Sequence, residues 1–263
     1  MFQLPAFLST TDFTLFTLVL GRLAGIFSAI PLFGAERVPM NIKVVVTLAL
    51  TLVCFPVLKL THVTLPPDIF SLALLVIAEA LIGITLGLVA KAVFGAVEFC
   101  GQLIGMQMGF AMSTLFDPTM GQVPLMSVFQ SLVASLLFLT FGAHHIFIKA
   151  MVDSYTVIPL GGWHMSGDLL NLLITITSGI FILGIKLAAP VMVSLLATTV
   201  VLGVMARSFP QMNIFVVSMP LNIGIGFLAL GLSLLVFVHT LESSFAGMAL
   251  SIKSIFTVLS QAP

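Results

Sequence analysis

Five ionisable side chains stand inside long apolar stretches of this chain: Arg22, Glu79, Lys91, Glu98 and Lys186. A charge in such surroundings is costly and usually marks a conduction pathway or an ion pair. Two kinds of chemistry are open to these residues. One is a relay for protons or a charged solute. The other is pairing with opposite charges, or escape of the charged tip to an interface. No second acid lies one helical turn from Glu79 to make a carboxylate dyad, so pairing is the favoured reading. Arg22, Glu79 and Lys186 are then candidates for charge pairing between subunits, and Glu79 and Lys186 are expected to have opposite-charge or hydrogen-bonding partners either within this chain or in a neighbouring subunit. Lys91 and Glu98 share a helical face at i and i+7 near an expected helix end, where snorkelling is easy.

Enzymatic chemistry lacks its parts. The chain holds no HExxH, no GxSxG and no P-loop. Ser166-Gly167-Asp168 only half-matches the GxGD of intramembrane aspartyl proteases, and no second aspartate stands in an apolar helix. His144 and His145 are adjacent, so on a helix they point about 100° apart and do not chelate one metal. Cys54 and Cys100 sit in apolar runs without CxxC or zinc spacing, which predicts two buried free thiols. A non-enzyme without cofactor or metal is expected.

A third group of residues carries mechanical chemistry. Glycines recur at four-residue spacing: Gly21 and Gly25, Gly83 and Gly87, then Gly101, Gly105 and Gly109. Such spacing lets helix backbones approach closely. The last series opens a segment in which five of the fourteen methionines (Met106, Met108, Met112, Met120, Met126) fall within 21 residues. Unbranched methionine fills irregular gaps and re-packs at little cost. Irregular backbone at membrane depth needs shelter from protein or a water-filled cavity. The segment reads either as a connector packed on its neighbours or as a deformable constriction lining a pore, and the second is favoured. Its parts are Met106, Met108, Phe110, Met112, Leu115 and Phe116 as soft apolar fillers, with Gly105 and Gly109 as hinges. Asp117, followed by Pro118, holds the end of the segment through an Asx-type turn.

The elements that must position these residues follow from composition. Sixty per cent of the 263 residues are apolar and 7% charged, with nine basic and nine acidic side chains and a mean hydropathy of +1.27. That is too little polar surface to cover a water-soluble fold. An all-α integral membrane protein is therefore expected, and the zero net charge gives no sign of nucleic acid. Six runs reach the roughly 20 residues that span a bilayer: Phe13–Phe33, Ile42–Leu60, Ile69–Phe99, Pro124–Ile148, Leu169–Ala206 and Met212–Thr240. A less apolar tail, Leu241–Pro263, reads as a separate amphipathic helix. No basic residue precedes the first run, so it is expected to stay as a helix and not leave as a signal peptide. Two runs are overlong, and Leu169–Ala206 carries Lys186 and Pro190 near its centre, where a kink or tight hairpin is expected. The architecture predicted is about six long, partly broken apolar helices arranged as hairpins, with a Met/Gly-rich re-entrant loop. Loop charges are balanced, with Arg37, Lys43 and Arg207 on one face against Lys59, Lys149 and Lys253 on the other, so the positive-inside rule gives no orientation.

Three stretches carry a resemblance. They are Gly21-Arg22 through Pro31-Leu32-Phe33 with Pro39 and Lys43, then Gly101–Pro118 continuing into Leu136-Leu137-Phe138-Leu139, and Ala188-Ala189-Pro190-Val191 through Arg207 to Pro210-Gln211. Together they resemble the FliR family of flagellar export proteins and its injectisome counterparts over nearly the whole chain. The middle stretch is the most specific. The resemblance implies a pore-forming subunit of the flagellar type III export gate in the bacterial inner membrane. It implies assembly as a single copy with P-type and Q-type subunits and an FlhB-type switch subunit, within the flagellar basal body and raised toward the periplasm. It also implies one membrane-embedded domain, 1–263, in which about 1–165 is similar to the P-type subunit and about 166–263 to the Q-type. The gate would pass unfolded flagellar proteins, driven from elsewhere in the apparatus, and its Met-rich loop would seal it. The chief rival reading is a small-molecule secondary transporter. Its broken helices are present here, but no second copy of the first half is evident.

Overall fold

The computed structural model describes residues 10–30, 39–56, 68–110, 124–163, 166–209, 211 and 213–260. Seven helices are found among them, and no strand. They are α1 (Thr10–Ala29), α2 (Met40–Cys54), α3 (Ile69–Gln107), α4 (Leu125–Thr140), α5 (Ala143–Val157), α6 (Gly167–Ser208) and α7 (Ile214–Ser260). An apolar chain in lipid must satisfy its backbone within each segment, and the helix does so. The protein is an all-α membrane protein.

Among the described residues, four helices are long and apolar enough to cross a bilayer: α1, α3, α6 and α7. The bent pair α4 and α5 makes a fifth if taken as one span. In the second apolar run the described helix, α2, has 15 residues, and residues 57–60 of that run lie outside the described residues. Pro39 starts α2, its carbonyl accepting the amides of Ile42 and Lys43.

The breaks fall elsewhere than the sequence suggests. Leu169–Ala206 is neither a hairpin nor a broken span; α6 is one helix of 42 residues with Pro190 inside it. The tail from Leu241 is no separate helix either, since α7 runs 47 residues to Ser260. At a rise of 1.5 Å per residue, α3, α6 and α7 span roughly 58, 63 and 70 Å against a hydrocarbon core of about 30 Å. By contrast, Pro124–Ile148 is interrupted. Gly142 takes a left-handed conformation (φ +67°) directly after α4, the usual glycine helix stop. Ser166 caps α6, its hydroxyl accepting the Leu169 amide at 3.1 Å, so Ser166-Gly167-Asp168 is a helix start and not half of a protease site.

The chain forms two compact units built from interleaved segments. Residues 1–91, 142–176 and 246–263 make the first, with Leu18, Leu23, Ile26, Ile82, Leu86, Phe147 and Ile255 buried. Residues 92–141 and 177–245 make the second. Its core holds a ring cluster, Phe94, Phe138 and Phe245, with centroids 5.5 to 6.1 Å apart. Large apolar side chains cover much of the outside, Ile69, Leu232 and Leu235 among them, as lipid or apolar protein neighbours require.

Candidate functional site

In the first unit, α1 and α3 cross at the two GxxxG pairs. A Cβ placed on Gly25 would sit 2.3 Å from the Ala80 carbonyl oxygen, and one on Gly83 would sit 2.1 Å from that of Arg22. The two backbones are thus in direct contact, as small residues permit in a membrane. Gly87 extends the seam against Ile26 and Ala29.

The same seam carries the buried charges. Arg22 and Glu79, both fully buried, meet at 2.6 Å between Nε and Oε2. Arg22 Nη1 donates to the carbonyls of Ser154 (2.9 Å) and Ile158 (3.1 Å), and to the Ser154 hydroxyl at 3.3 Å. Ser154 lies in the last turn of α5 and Ile158 caps it, where the helix dipole favours a cation; the Ser154 carbonyl also accepts the Ile158 amide at 2.9 Å. The guanidinium also lies 4.4 Å over the ring of Tyr155, whose hydroxyl donates to the Val19 carbonyl at 3.1 Å. On the other side, Glu79 Oε1 accepts the Gly161 amide at 2.8 Å. Gly161 (φ +80°) sits in the Pro159–Gly162 turn, which Gly162 closes on the Pro159 carbonyl. One ion pair therefore ties three helices and a turn together, and its two charges are matched within the chain.

The other charges are placed differently. Lys91, Glu98 and Lys186 are exposed. Lys186 has no hydrogen-bond or ion-pair partner among the described residues. Pro190, four residues on, lacks an N–H, so the Lys186 carbonyl also misses its usual helical donor. The rings of His144 and His145 stack with centroids 4.0 Å apart, nearer than the expected divergence. No cluster of three or more potential metal ligands occurs among the described residues. Cys54 and Cys100 are free thiols, Cys100 buried and Cys54 half-buried.

In the second unit lies the root of the Met/Gly-rich segment. Gly101 to Gln107 continue α3 as regular helix and are not irregular. Gly101 lets α4 approach, since a Cβ there would come within 2.4 Å of Ser127 Cα. The Ser127 hydroxyl donates to the Glu98 carbonyl at 3.0 Å across this contact. Among the described residues, a Cβ on Gly105 would meet only Met126, at 3.7 Å, an ordinary separation. Gly109 has a φ of +88°. Met106 is exposed, Met108 fully buried and Phe110 half-buried. Met112, Leu115, Phe116, Asp117 and Pro118 lie outside the described residues. A pocket of about 200 Å³ in this unit is walled by Phe129, Leu187, Phe227 and Phe237, with Gln130 and Ser233 its polar residues.

Residues 13–248 match the sequence model of the family described as bacterial export proteins, family 1. The chain belongs to this family of export proteins. The match takes in all but the first three residues of α1, the Arg22–Glu79 pair and the Met/Gly-rich segment. The export protein is 37% identical over 216 residues to the flagellar biosynthetic protein FliR of Pectobacterium carotovorum subsp. carotovorum, covering 81% of each chain. It is 33% identical over 225 residues to the protein of that name from Bacillus subtilis strain 168, covering 83% of this chain and 85% of the relative. The Escherichia coli K12 protein is 32% identical over 206 residues, 78% of each. Sequence reasoning named Arg22 and Glu79 but missed Ser154, Tyr155 and Gly161 around them. A serine and a tyrosine near the end of an apolar helix were the available signal.

Proposed function

We propose that this export protein is the pore-forming subunit of the flagellar protein export gate in the bacterial inner membrane. The similarity to FliR proteins over about four-fifths of both chains carries this reading. Unfolded flagellar proteins are its cargo. P-type and Q-type subunits, with an FlhB-type switch subunit, are its partners in the basal body, with the assembly raised toward the periplasm. Residues 1–165 do the work of a P-like element and 166–263 of a Q-like one. The apolar exterior and the helices longer than a bilayer fit a subunit that lies against other protein for much of its length. A small-molecule transporter fits less well. The pocket in the second unit offers a solute no charged group, and the Arg22 and Glu79 charges are already spent on each other.

In this reading, Lys186 serves subunit pairing, its exposed ammonium and unserved carbonyl both meeting groups of a partner. Lys186→Met is expected to lower the yield of complex co-purified with the P- and Q-type subunits. An unchanged yield and subunit ratio would remove Lys186 from the interface. Arg22 and Glu79 contribute to assembly by fixing the shape that partners meet.

The segment from Gly105 to Pro118 seals the idle pore. A narrow apolar constriction excludes ions by dewetting while remaining soft enough to open. The co-purified complex in planar bilayers tests this. Deleting Met106 to Met112 is expected to raise ion conductance well above that of the intact complex while export continues. A deletion that conducts no more than the intact gate would make these methionines ordinary packing.

A further inference from the structure

The pocket of about 200 Å³ in the second unit is set between α4, α6 and α7. Phe129 and Phe227, 49% and 50% exposed, stand at its mouth, while Gln130, Leu187 and Phe237 are buried. Gln130 is the unusual member. It is 2% exposed, and its carboxamide oxygen has no hydrogen-bond partner among the described residues. The same side chain hydrogen-bonds the Cys100 thiol. A buried acceptor without a donor is costly. Ser233, the other polar residue of the wall, does not supply one, because its hydroxyl proton goes to the Leu230 carbonyl at 3.2 Å. What this largely aromatic pocket lacks is a donor.

We propose that the pocket receives a tyrosine side chain from a neighbouring gate subunit, with its hydroxyl donating to Gln130. The proposal rests on the reading of this chain as an export-gate subunit, whose apolar exterior lies against other protein. Size narrows the occupant first. An apolar cavity of about 150 Å³ holds a benzene ring. An aromatic ring therefore fills this pocket, where serine or threonine would leave most of it empty. Hydrogen bonding narrows it further. Leucine, methionine, phenylalanine or a lipid acyl chain would fill the space and leave the Gln130 oxygen unserved. A lysine would bring a charge that no wall residue matches. Tryptophan carries its N–H on the flank of the ring, whereas tyrosine carries its O–H at the far tip, past the phenylalanines of the mouth. Position agrees, since the wall residue Leu187 directly follows Lys186, whose exposed ammonium meets a partner in the same reading.

A photoreactive p-azidophenylalanine in place of Phe129 tests this in the complex co-purified with the P- and Q-type subunits. Irradiation and mass spectrometry are expected to find position 129 joined to one partner peptide that contains a tyrosine. Changing that tyrosine to Phe keeps the ring and removes only the hydroxyl. Gln130→Met keeps the length and removes only the acceptor. Each alone should lower the thermal midpoint of the complex. Together they should lower it by less than the sum, because no polar group is then left unpaired. With the tyrosine changed to Ala, p-cresol, its side chain as a free molecule, should restore the midpoint at a several-fold lower concentration than toluene does. If Gln130→Met does not assemble, the crosslink and the two partner variants still decide. A crosslink only to lipid, to a peptide without tyrosine, or to nothing overturns the proposal. So do additive losses, or equal rescue by p-cresol and toluene. A chain that co-purifies with neither subunit type removes the gate reading and the proposal with it. A complex that forms without the tyrosine crosslink removes the proposal alone.

Discussion

Arg22→Met is expected to eliminate assembled complex from the membrane, with little or no folded export protein recovered. Removing one member of a buried ion pair strands the other, at a cost of about 3–5 kcal/mol. Here the stranded group is Glu79, fully buried with only the Gly161 amide left to stabilise its charge. The Ile158 carbonyl loses the Arg22 donor as well, while that of Ser154 keeps the Ile158 amide, and an unsatisfied buried group adds about 1–3 kcal/mol. A domain commonly has only about 5–15 kcal/mol of net stability, so the sum is comparable to the whole. Glu79→Gln should be milder in geometry, since its amide oxygen can still accept from Gly161, yet it leaves a guanidinium unmatched and should also reduce yield. Removing both charges, as Arg22→Met with Glu79→Leu, should cost less than the two single losses added together. The check is the amount of monodisperse co-purified complex and its thermal midpoint. A normal yield and midpoint for Arg22→Met would show that the ion pair is not what joins α1, α3 and α5.

Gly83→Ala is the second change with a large expected effect. Its new methyl would lie 2.1 Å from the Arg22 carbonyl oxygen and 2.8 Å from the Ile26 amide nitrogen. Both obstacles are backbone and cannot rotate away, so α1 and α3 must separate. Overpacking usually costs about 1–3 kcal/mol, and a backbone obstacle places this case at the upper end or beyond. Separation also stretches the ion pair, because the blocked carbonyl belongs to Arg22 itself. Gly25→Ala meets the Ala80 carbonyl at 2.3 Å and should behave alike. The two should not add: once one methyl has parted the helices, the second finds room. Gly179→Ala, whose methyl would meet nothing within 4 Å among the described residues, is the control and should leave the midpoint unchanged or slightly raised. Additive losses at Gly25 and Gly83, or a silent Gly83→Ala, would mean that the crossing is not the rigid contact described.

The three glycines of the Met/Gly-rich stem show how far spacing can be read. Gly101, Gly105 and Gly109 are equally spaced, and one role for all three is the natural inference. They have three. Gly101 admits a neighbouring backbone, Gly105 meets an ordinary side chain, and Gly109 permits a left-handed turn. The helix breaks teach the same lesson. Pro190 is the stronger breaker by type, yet α6 passes through it, because one missing donor can be absorbed by a long helix held along its length. Gly142 ends α4 because its own backbone adopts a positive φ, which no apolar count reveals. The continuity of α7 through Leu241 was hidden for a related reason: its last turns carry more serine and threonine, which still bond back to carbonyls within the helix.

Composition and apolar run length alone were enough to establish a helical membrane protein, since too few charges exist to cover any other fold in water. The residue types of the middle stretch were enough to point to the export family. Arg22 and Glu79 were each visible as costly charges, but 57 positions separate them and nothing local relates one to the other. Periodicity tells which face of a helix a residue occupies. It does not tell the rotation and register at which two distant helices meet. The glycine crossing of α1 and α3 sets that register, bringing Arg22 opposite Glu79 and both under the end of α5. Packing likewise decided that Met108 is buried against Gly226 while Met106 is exposed, because a side chain's freedom depends on the space its neighbours leave and not on its own type.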